Sequence, residues 1–291
     1  MLESNTLLCR FCGRVAAFAF KKTMLRRYQV SYFRCESCGS IETERPYWLD
    51  EAYAIPGVHI DVGIASRSIK NWIALAVFFS QIGLDREALI VDFGAASGLV
   101  ARLMRDLGYN MRSYDKYSSP SFTNYFNATH PERSRPRVVC AFEVFEHFTE
   151  PATELGAVLS SRPDFVIFTT WFCDDQPEDW IYFAEACGQH VFFYTERAMR
   201  EFADRAGYDL VLTSYFHILA RRNLSPATLA GLEKFRLQSQ ELVHEHVACL
   251  FKKIEFGNAY IDADFETALR LFDRELDERK LSDRSSLVTI G

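Results

Sequence analysis

The chain has 291 residues, 48% of them hydrophobic and 25% charged, with a formal net charge of −6. This is the make-up of a globular chain with ample material for a core, and the acidic balance argues against a nucleic-acid partner for the chain as a whole. No apolar run has the form of a signal peptide or reaches the roughly 18 residues of a membrane span, so no membrane partner is expected, and a cytoplasmic location with reduced thiols is.

Residues 1–45 carry their own signal. Four of the eight cysteines form Cys9-x2-Cys12 and Cys35-x2-Cys38, each pair followed by a glycine, Gly13 and Gly39. A C-x2-C turn presents two thiolates together, and a following glycine allows the positive φ that such a knuckle needs. The intervening residues suffice for two strands, Val15 to Phe20 and Arg27 to Phe33. The pattern predicts a zinc ribbon with Cys9, Cys12, Cys35 and Cys38 as ligands. Four thiolates close the coordination sphere, so the zinc is expected to be structural. Paired disulfides would need an oxidising compartment, and a redox C-x-x-C a thioredoxin-like context; neither is indicated. The basic residues Lys21, Lys22, Arg26 and Arg27 read either as a solvated hairpin tip or as a grip on a partner.

Residues 46–85 lead into a larger domain expected over 46–221. Tyr47, Trp48 and Tyr53 form an aromatic group that either lines a substrate pocket or seals the ribbon against the core. Ile55-Pro56-Gly57 reads as a turn. Ser68 to Ile82 has helical periodicity, with Gly83 as its stop.

Leu89 to Lys116 organises the rest. Leu89 to Phe93 is a short apolar run of the kind that forms a buried parallel strand. It breaks at Gly94-Ala95-Ala96-Ser97-Gly98. A helical pattern follows, and Met111 to Tyr114 form a second strand with Asp115 at its carboxyl end. Ligands of open α/β sheets bind beyond the carboxyl ends of the strands, where small residues admit the ligand and an acid can reach a ribose. The acid Asp92, close before the turn, disfavours a pyrophosphate and favours a cationic amino group.

Asp92 to Gly98 resembles the first motif of the class I S-adenosylmethionine-dependent methyltransferases. Ala141 to His147, AFEVFEH, is similar to the E-V-x-E-H element of the ubiquinone-biosynthesis-type branch, and Gly188 to Thr195, GQHVFFYT, to its G-x-H-x-x-x-[FY]-[ST] element. The resemblance covers roughly residues 70 to 220. It implies a Rossmann-like, seven-stranded α/β sheet. The cofactor, S-adenosylmethionine, would be held by Asp92, Phe93, Gly94, Ala95, Ala96, Gly98, Asp115, Lys116, Phe126, Phe142 and Glu143. Ala96 replaces the family's middle glycine, which calls for a negative φ at that position.

The third strand is expected near Tyr125-Phe126, with Phe126 or Asn127 flanking adenine. Val138 to Phe142 and Phe165 to Thr170 read as strands four and five. The acid-rich insertion from Trp171 to Gly188 is expected to select the acceptor. A helix from Thr195 to Ala206 and two strands, Tyr208 to Thr213 and Tyr215 to Arg221, complete the domain.

The resemblance implies methyl transfer to a small polar acceptor, a sugar, glycan or secondary metabolite. O-methylation is the leading reading, with C-methylation open. A histidine suits removal of the hydroxyl proton near neutral pH. His190 is the first candidate base, His147 the second, and Glu143 lies at the strand-four end beside them. Two alternatives stay open: an RNA or protein methyltransferase that uses the basic ribbon, and a non-catalytic scaffold.

Residues 222–291 are predicted to form two helices, Ser225 to about Phe251 and Phe265 to Leu281. They are either a homodimer arm or substrate lid, or a pair packed on the core.

Overall fold

The computed structural model describes residues 5–54, 63–128 and 134–256, together with 264, 266, 267, 270, 271 and 274. The chain opens with four strands: β1 (Thr6–Leu8), β2 (Val15–Met24), β3 (Tyr28–Cys35) and β4 (Ile41–Thr43). β2 and β3 form a hairpin whose turn residues, Leu25 and Arg26, both have positive φ. That is the geometry that matches the right-handed twist of paired strands.

The tip is tied to the rest of the chain, although Arg26 and Arg27 are exposed. The Leu25 N–H donates to the Glu185 carbonyl at 2.9 Å, Lys22 meets Glu185 at 2.5 Å and Arg27 meets Glu51 at 3.2 Å. The basic residues of the tip were read as solvated or as gripping a partner; Lys21, Arg26 and Arg27 are exposed, while Lys22 and Arg27 also pair within the chain.

Two helices follow, α1 (Leu49–Ala54) and α2 (Ile64–Gln81). α2 begins four residues before the periodicity suggests, and it buries Trp72, Leu75, Phe78 and Phe79 in the main core. The turn expected at Ile55-Pro56-Gly57 lies outside the described residues.

The larger sheet comprises β5 (Ile90–Phe93), β6 (Met111–Tyr114), β7 (Val138–Phe142) and β8 (Phe165–Thr169), with α3 (Leu99–Asp106) and α4 (Pro151–Leu159) between them. β9 (Phe192–Phe193), α5 (Glu196–Ala206), β10 (Tyr208–Leu212), β11 (His217–Arg221) and α6 (Pro226–Phe256) complete the fold. The strand order is β10-β11-β8-β7-β5-β6. β6, β5, β7 and β8 run parallel, and β11 is antiparallel to both neighbours. The central strands are buried on both faces, which explains their unbroken apolar runs.

Among the described residues the sheet has six strands, not seven. The strand expected near Tyr125-Phe126 is reduced to a single parallel bridge between Ser113 and Asn127. Its segment closes on itself instead, through bonds from Thr123 N–H to the Pro120 carbonyl and from Phe126 N–H to the Thr123 carbonyl.

The N-terminal sheet runs β1-β2-β3-β4-β9, so its last strand comes from far along the chain. Ile41 pairs with Phe193 and Glu42 with Phe192. The β4 edge is thereby closed by the segment that carries the G-x-H element.

α6 reaches beyond the expected Phe251 and leaves helical geometry at Gln238. Most of the second expected helix, Phe265 to Leu281, lies outside the described residues. Asp264 pairs with Arg105 at 2.5 Å and Arg102 at 2.7 Å, which anchors this region to α3.

Candidate active site

The turn after β5 is built from left-handed residues: Gly94, Ala96 and Gly98 have φ of 72°, 47° and 77°. A Cβ at Gly94 would come within 2.6 Å of Val144, and one at Gly98 within 2.3 Å of the Thr123 hydroxyl. Both glycines are therefore fixed by space as well as by φ. At Ala96 the expectation of a negative φ is corrected. The residue takes the conformation a glycine would, at a cost of roughly 1–2 kcal/mol. The compensating contact is its N–H, which donates to Asp115 Oδ2 at 2.9 Å.

Asp115 also accepts from the backbone N–H groups of Tyr117 and Ser118, each at 2.8 Å on Oδ1. Three amides thus hold the carboxylate at the end of β6. Beside it opens a cavity of about 300 Å³ lined by Ser113, Tyr114, Asp115, Ser118 and Asn127 among others. Among the described residues the buried Asn127 Oδ1 has no hydrogen-bond partner.

Of the residues the sequence points to here, Asp115 and Asn127 line this cavity. Lys116 is exposed, its ammonium 5.1 Å from the Tyr117 ring. Phe126 lies under the Arg105 guanidinium, 4.3 Å from its ring centre. Phe93 packs against Tyr114 and Phe148, and Phe142 against the core. Asp92 is buried beneath the turn, and burial followed by the Asp115 charge pushes its carboxyl up to about 7.

At the end of β7, Glu143 has φ of 54°. Its N–H donates to the Thr169 carbonyl at 3.1 Å and the Thr169 hydroxyl at 2.9 Å. A left-handed non-glycine at a strand's carboxyl end is strain of the kind that gathers at functional sites. The Tyr182 hydroxyl donates to Glu143 Oε2 at 3.2 Å, and the half-exposed Trp171 stacks on Tyr182 at 5.2 Å.

Behind Glu143 the chain makes a 3-10 turn, Phe145–His147. Glu146 is 0% exposed, and among the described residues neither carboxylate oxygen has a hydrogen-bond partner. Burial, then the Glu143 charge, lifts its carboxyl to about 8. His147 Nδ1 lies 3.1 Å from the Gln189 carbonyl, and His190 Nδ1 lies 2.7 Å from the Tyr182 carbonyl. A carbonyl only accepts, so His190 Nδ1 carries the proton and its Nε2 keeps a lone pair; His147 Nδ1 also lies 3.4 Å from the Tyr53 hydroxyl. The rings stand 4.9 Å apart, edge to face. Burial lowers His147 to about 4; burial and the neighbouring His147 lower His190 to about 3. Donor atoms of Glu146, His147 and His190 all lie within 4.8 Å of one another. Such a set can pass a proton or hold a divalent cation.

The sequence reading paired the two histidines through their motifs. It placed Tyr182 in the insertion expected to select the acceptor but not its contacts, which reach Glu143, His190 and Trp171 at once. No periodicity or motif marks that tyrosine.

The second constellation is the cysteine cluster. Cys9 Sγ lies 3.9 Å from Cys38 Sγ, Cys12 Sγ lies 3.4 Å from Cys35 Sγ, and all four sulfurs fall within 4.8 Å of one another. Thiolates about 2.3 Å from a tetrahedral zinc would be about 3.8 Å apart. Gly13 and Gly39 have φ of 72° and 79°, as the knuckles require.

Residues 65–213 match the methyltransferase domain family, which is more than half of the chain, and the chain belongs to that family. Its sheet is the class I methyltransferase sheet with the third strand reduced to a bridge. No curated protein sequence matches. Similar solved structures include magnesium protoporphyrin IX methyltransferase from Synechocystis PCC 6803 with bound S-adenosylhomocysteine, at 13% identity and TM-score 0.42, covering 61% of this chain and 97% of that one. Another is the 1,6-didemethyltoxoflavin-N1-methyltransferase of Burkholderia thailandensis, at 11% identity and TM-score 0.45, covering 69% and 97%. A third is the plantazolicin methyltransferase BamL, at 12% identity and TM-score 0.45, covering 69% and 89%. Among the described residues no helix is long and apolar enough to cross a membrane.

Proposed function

We propose that the protein transfers a methyl group from S-adenosylmethionine to a hydroxyl of a small polar acceptor, with His190 as general base. The observation that carries this is the His190 tautomer. Its Nδ1–H is held by the Tyr182 carbonyl at 2.7 Å, so Nε2 offers a lone pair at neutral pH.

The cofactor fits the residues present. Asp115 would take the ribose hydroxyls, and the unpartnered Asn127 Oδ1 would accept from the adenine amino group. The backbone of residues 94–98 and Asp92 would lie near the amino-acid end. When bound, the cofactor supplies an electrophilic methyl carbon on a sulfonium. The chain's own residues do the rest. Glu143, fixed by Thr169 and Tyr182, orients the acceptor's hydroxyls. Trp171 offers a ring face to the acceptor. His190 Nε2 removes the proton as the oxygen attacks.

The cysteine cluster is read as one structural zinc. A small acceptor is favoured over RNA or protein by the acidic balance of the chain and by the engagement of Lys22 with Glu185.

Calorimetric titration with S-adenosylhomocysteine tests the cofactor half: micromolar binding is expected, and no binding at high micromolar ligand refutes it. His190→Ala tests the base. It should retain that binding and lose methyl transfer; a fully active variant removes His190 from the role.

A further inference from the structure

Arg10 sits inside the first cysteine knuckle, between Cys9 and Phe11. Its guanidinium reaches into the methyltransferase domain. Nε donates to Glu42 Oε2 at 2.5 Å, NH1 to the Thr149 carbonyl at 3.1 Å, and NH2 to the carbonyls of Thr43 at 2.9 Å and Val191 at 3.1 Å. Thr149 lies two residues after His147, and Val191 one residue after His190. One side chain therefore bridges both histidine-bearing segments.

These segments are tied to each other as well. Val191 N–H donates to the Glu146 carbonyl at 2.9 Å, and the Tyr194 hydroxyl to the Phe145 carbonyl at 3.0 Å. Thr43 N–H donates to the Val191 carbonyl at 3.1 Å from the ribbon side. Phe11, next to Arg10, sets its ring against Phe192 and Tyr194 at 5.8 and 5.2 Å.

The charge arrangement accounts for the choice of arginine. Glu42 is 1% exposed and receives both the Arg10 side chain and the Arg10 backbone N–H, at 3.2 Å. With Nε on that carboxylate, the two terminal nitrogens are left in fixed directions, and each meets a carbonyl of a different segment. The rigid fork of a guanidinium does this; a single ammonium cannot reach all these oxygens.

We infer that Arg10 is a positioning residue: from the cysteine knuckle it fixes the spacing of His147 and His190 and the tautomer of His190. The cysteine module then acts on the site through one guanidinium and a strand pair, without contributing an atom to the crevice. The catalytic consequence rests on the reading of His190 as base, but the positional statement is measurable without turnover.

The test uses the full-length, zinc-loaded protein. Arg10→Met leaves the Glu42 carboxylate buried alone, so it is made together with Glu42→Gln. Arg10→Lys, which retains the charge beside Glu42, guards against a folding defect. Three quantities are read in each: zinc content, hydrogen exchange at the Val191 amide, and the 15N resonances of the two imidazoles. Both variants are expected to hold one zinc and to bind S-adenosylhomocysteine within about twofold of the parent. Exchange at Val191 should rise at least tenfold. The His190 signals should move from a single Nδ1–H tautomer toward the mixture of a free histidine. Unchanged exchange and an unchanged tautomer in zinc-loaded variants overturn the inference. A parent that fails to bind S-adenosylhomocysteine strikes at the cofactor reading instead and leaves the Arg10 result standing.

Discussion

His190 and Tyr182 meet twice: the imidazole Nδ1–H donates to the tyrosine carbonyl at 2.7 Å, and the two rings stand 4.6 Å apart. The tyrosine hydroxyl reaches on to Glu143 at 3.2 Å. The backbone of Tyr182 fixes the histidine, and its side chain fixes the acid. Tyr182→Phe separates the two, keeping the His190 tautomer and freeing Glu143. We expect the Michaelis constant for the acceptor to rise while cofactor affinity and the imidazole 15N signature stay unchanged. His190→Ala should lower turnover by about 10²–10⁴-fold, read as S-adenosylhomocysteine released.

Asp115 accepts three backbone amides before any ligand arrives. Asp115→Ala should weaken S-adenosylhomocysteine binding by about 1–3 kcal/mol, through lost charge-assisted bonds and a loosened loop. Asp115→Asn keeps one acceptor oxygen and should fall between the two. Calorimetry measures both, and equal affinity in all three proteins would remove the residue from the ribose role.

Stability should respond to pH in opposing ways at the two kinds of buried group. Glu146 is lifted to about 8 and Asp92 to about 7, above ordinary values of 4.5 and 3.8. The unfolded chain gives up these protons first, so their contribution is full below about pH 4 and is lost as pH rises toward 8. His147 and His190, lowered to about 4 and 3, contribute above their ordinary value of 6.5 and lose that contribution as pH falls toward 3. Glu146→Gln removes an acid that is costly to ionise. Its melting temperature should exceed the parent's at pH 9, with the gap closing at pH 5. Parallel melting curves across that range contradict the burial argument.

Ala96 carries its strain in the turn itself. Ala96→Gly should leave the melting temperature unchanged or higher, since relief of the left-handed conformation offsets the added freedom of the unfolded chain. Ala96→Val should lower it, because a branched Cβ is worse still at positive φ. A clear loss of stability in the glycine variant would show that the turn does not need φ of 47°.

The local parts of this molecule were legible in the sequence. The Cys pairs declare themselves because each knuckle is a contiguous turn followed by a glycine that must be left-handed. Gly94 to Asp115 does so because strand, turn and helix follow one another with the right residue at each stop. His190 and His147 were visible through short motifs. Distant pairing was not. Nothing near Ile41 says that its partner is Phe193, and nothing in Cys-Arg-Phe-Cys says that the arginine reaches Val191. The missing third strand was hidden for a related reason. Tyr125-Phe126 looks like a strand, but Phe126 goes to the buried Arg105, whose charge is fixed by Asp264.

The β4–β9 pairing has a practical corollary for anyone dividing the chain. A fragment starting at Pro46 would strip the partner from Phe192 and Phe193 and leave a phenylalanine-bearing border open to recruit other strands. Such a fragment should clump rather than yield an autonomous enzyme, so the small module and the large one have to be expressed as a unit.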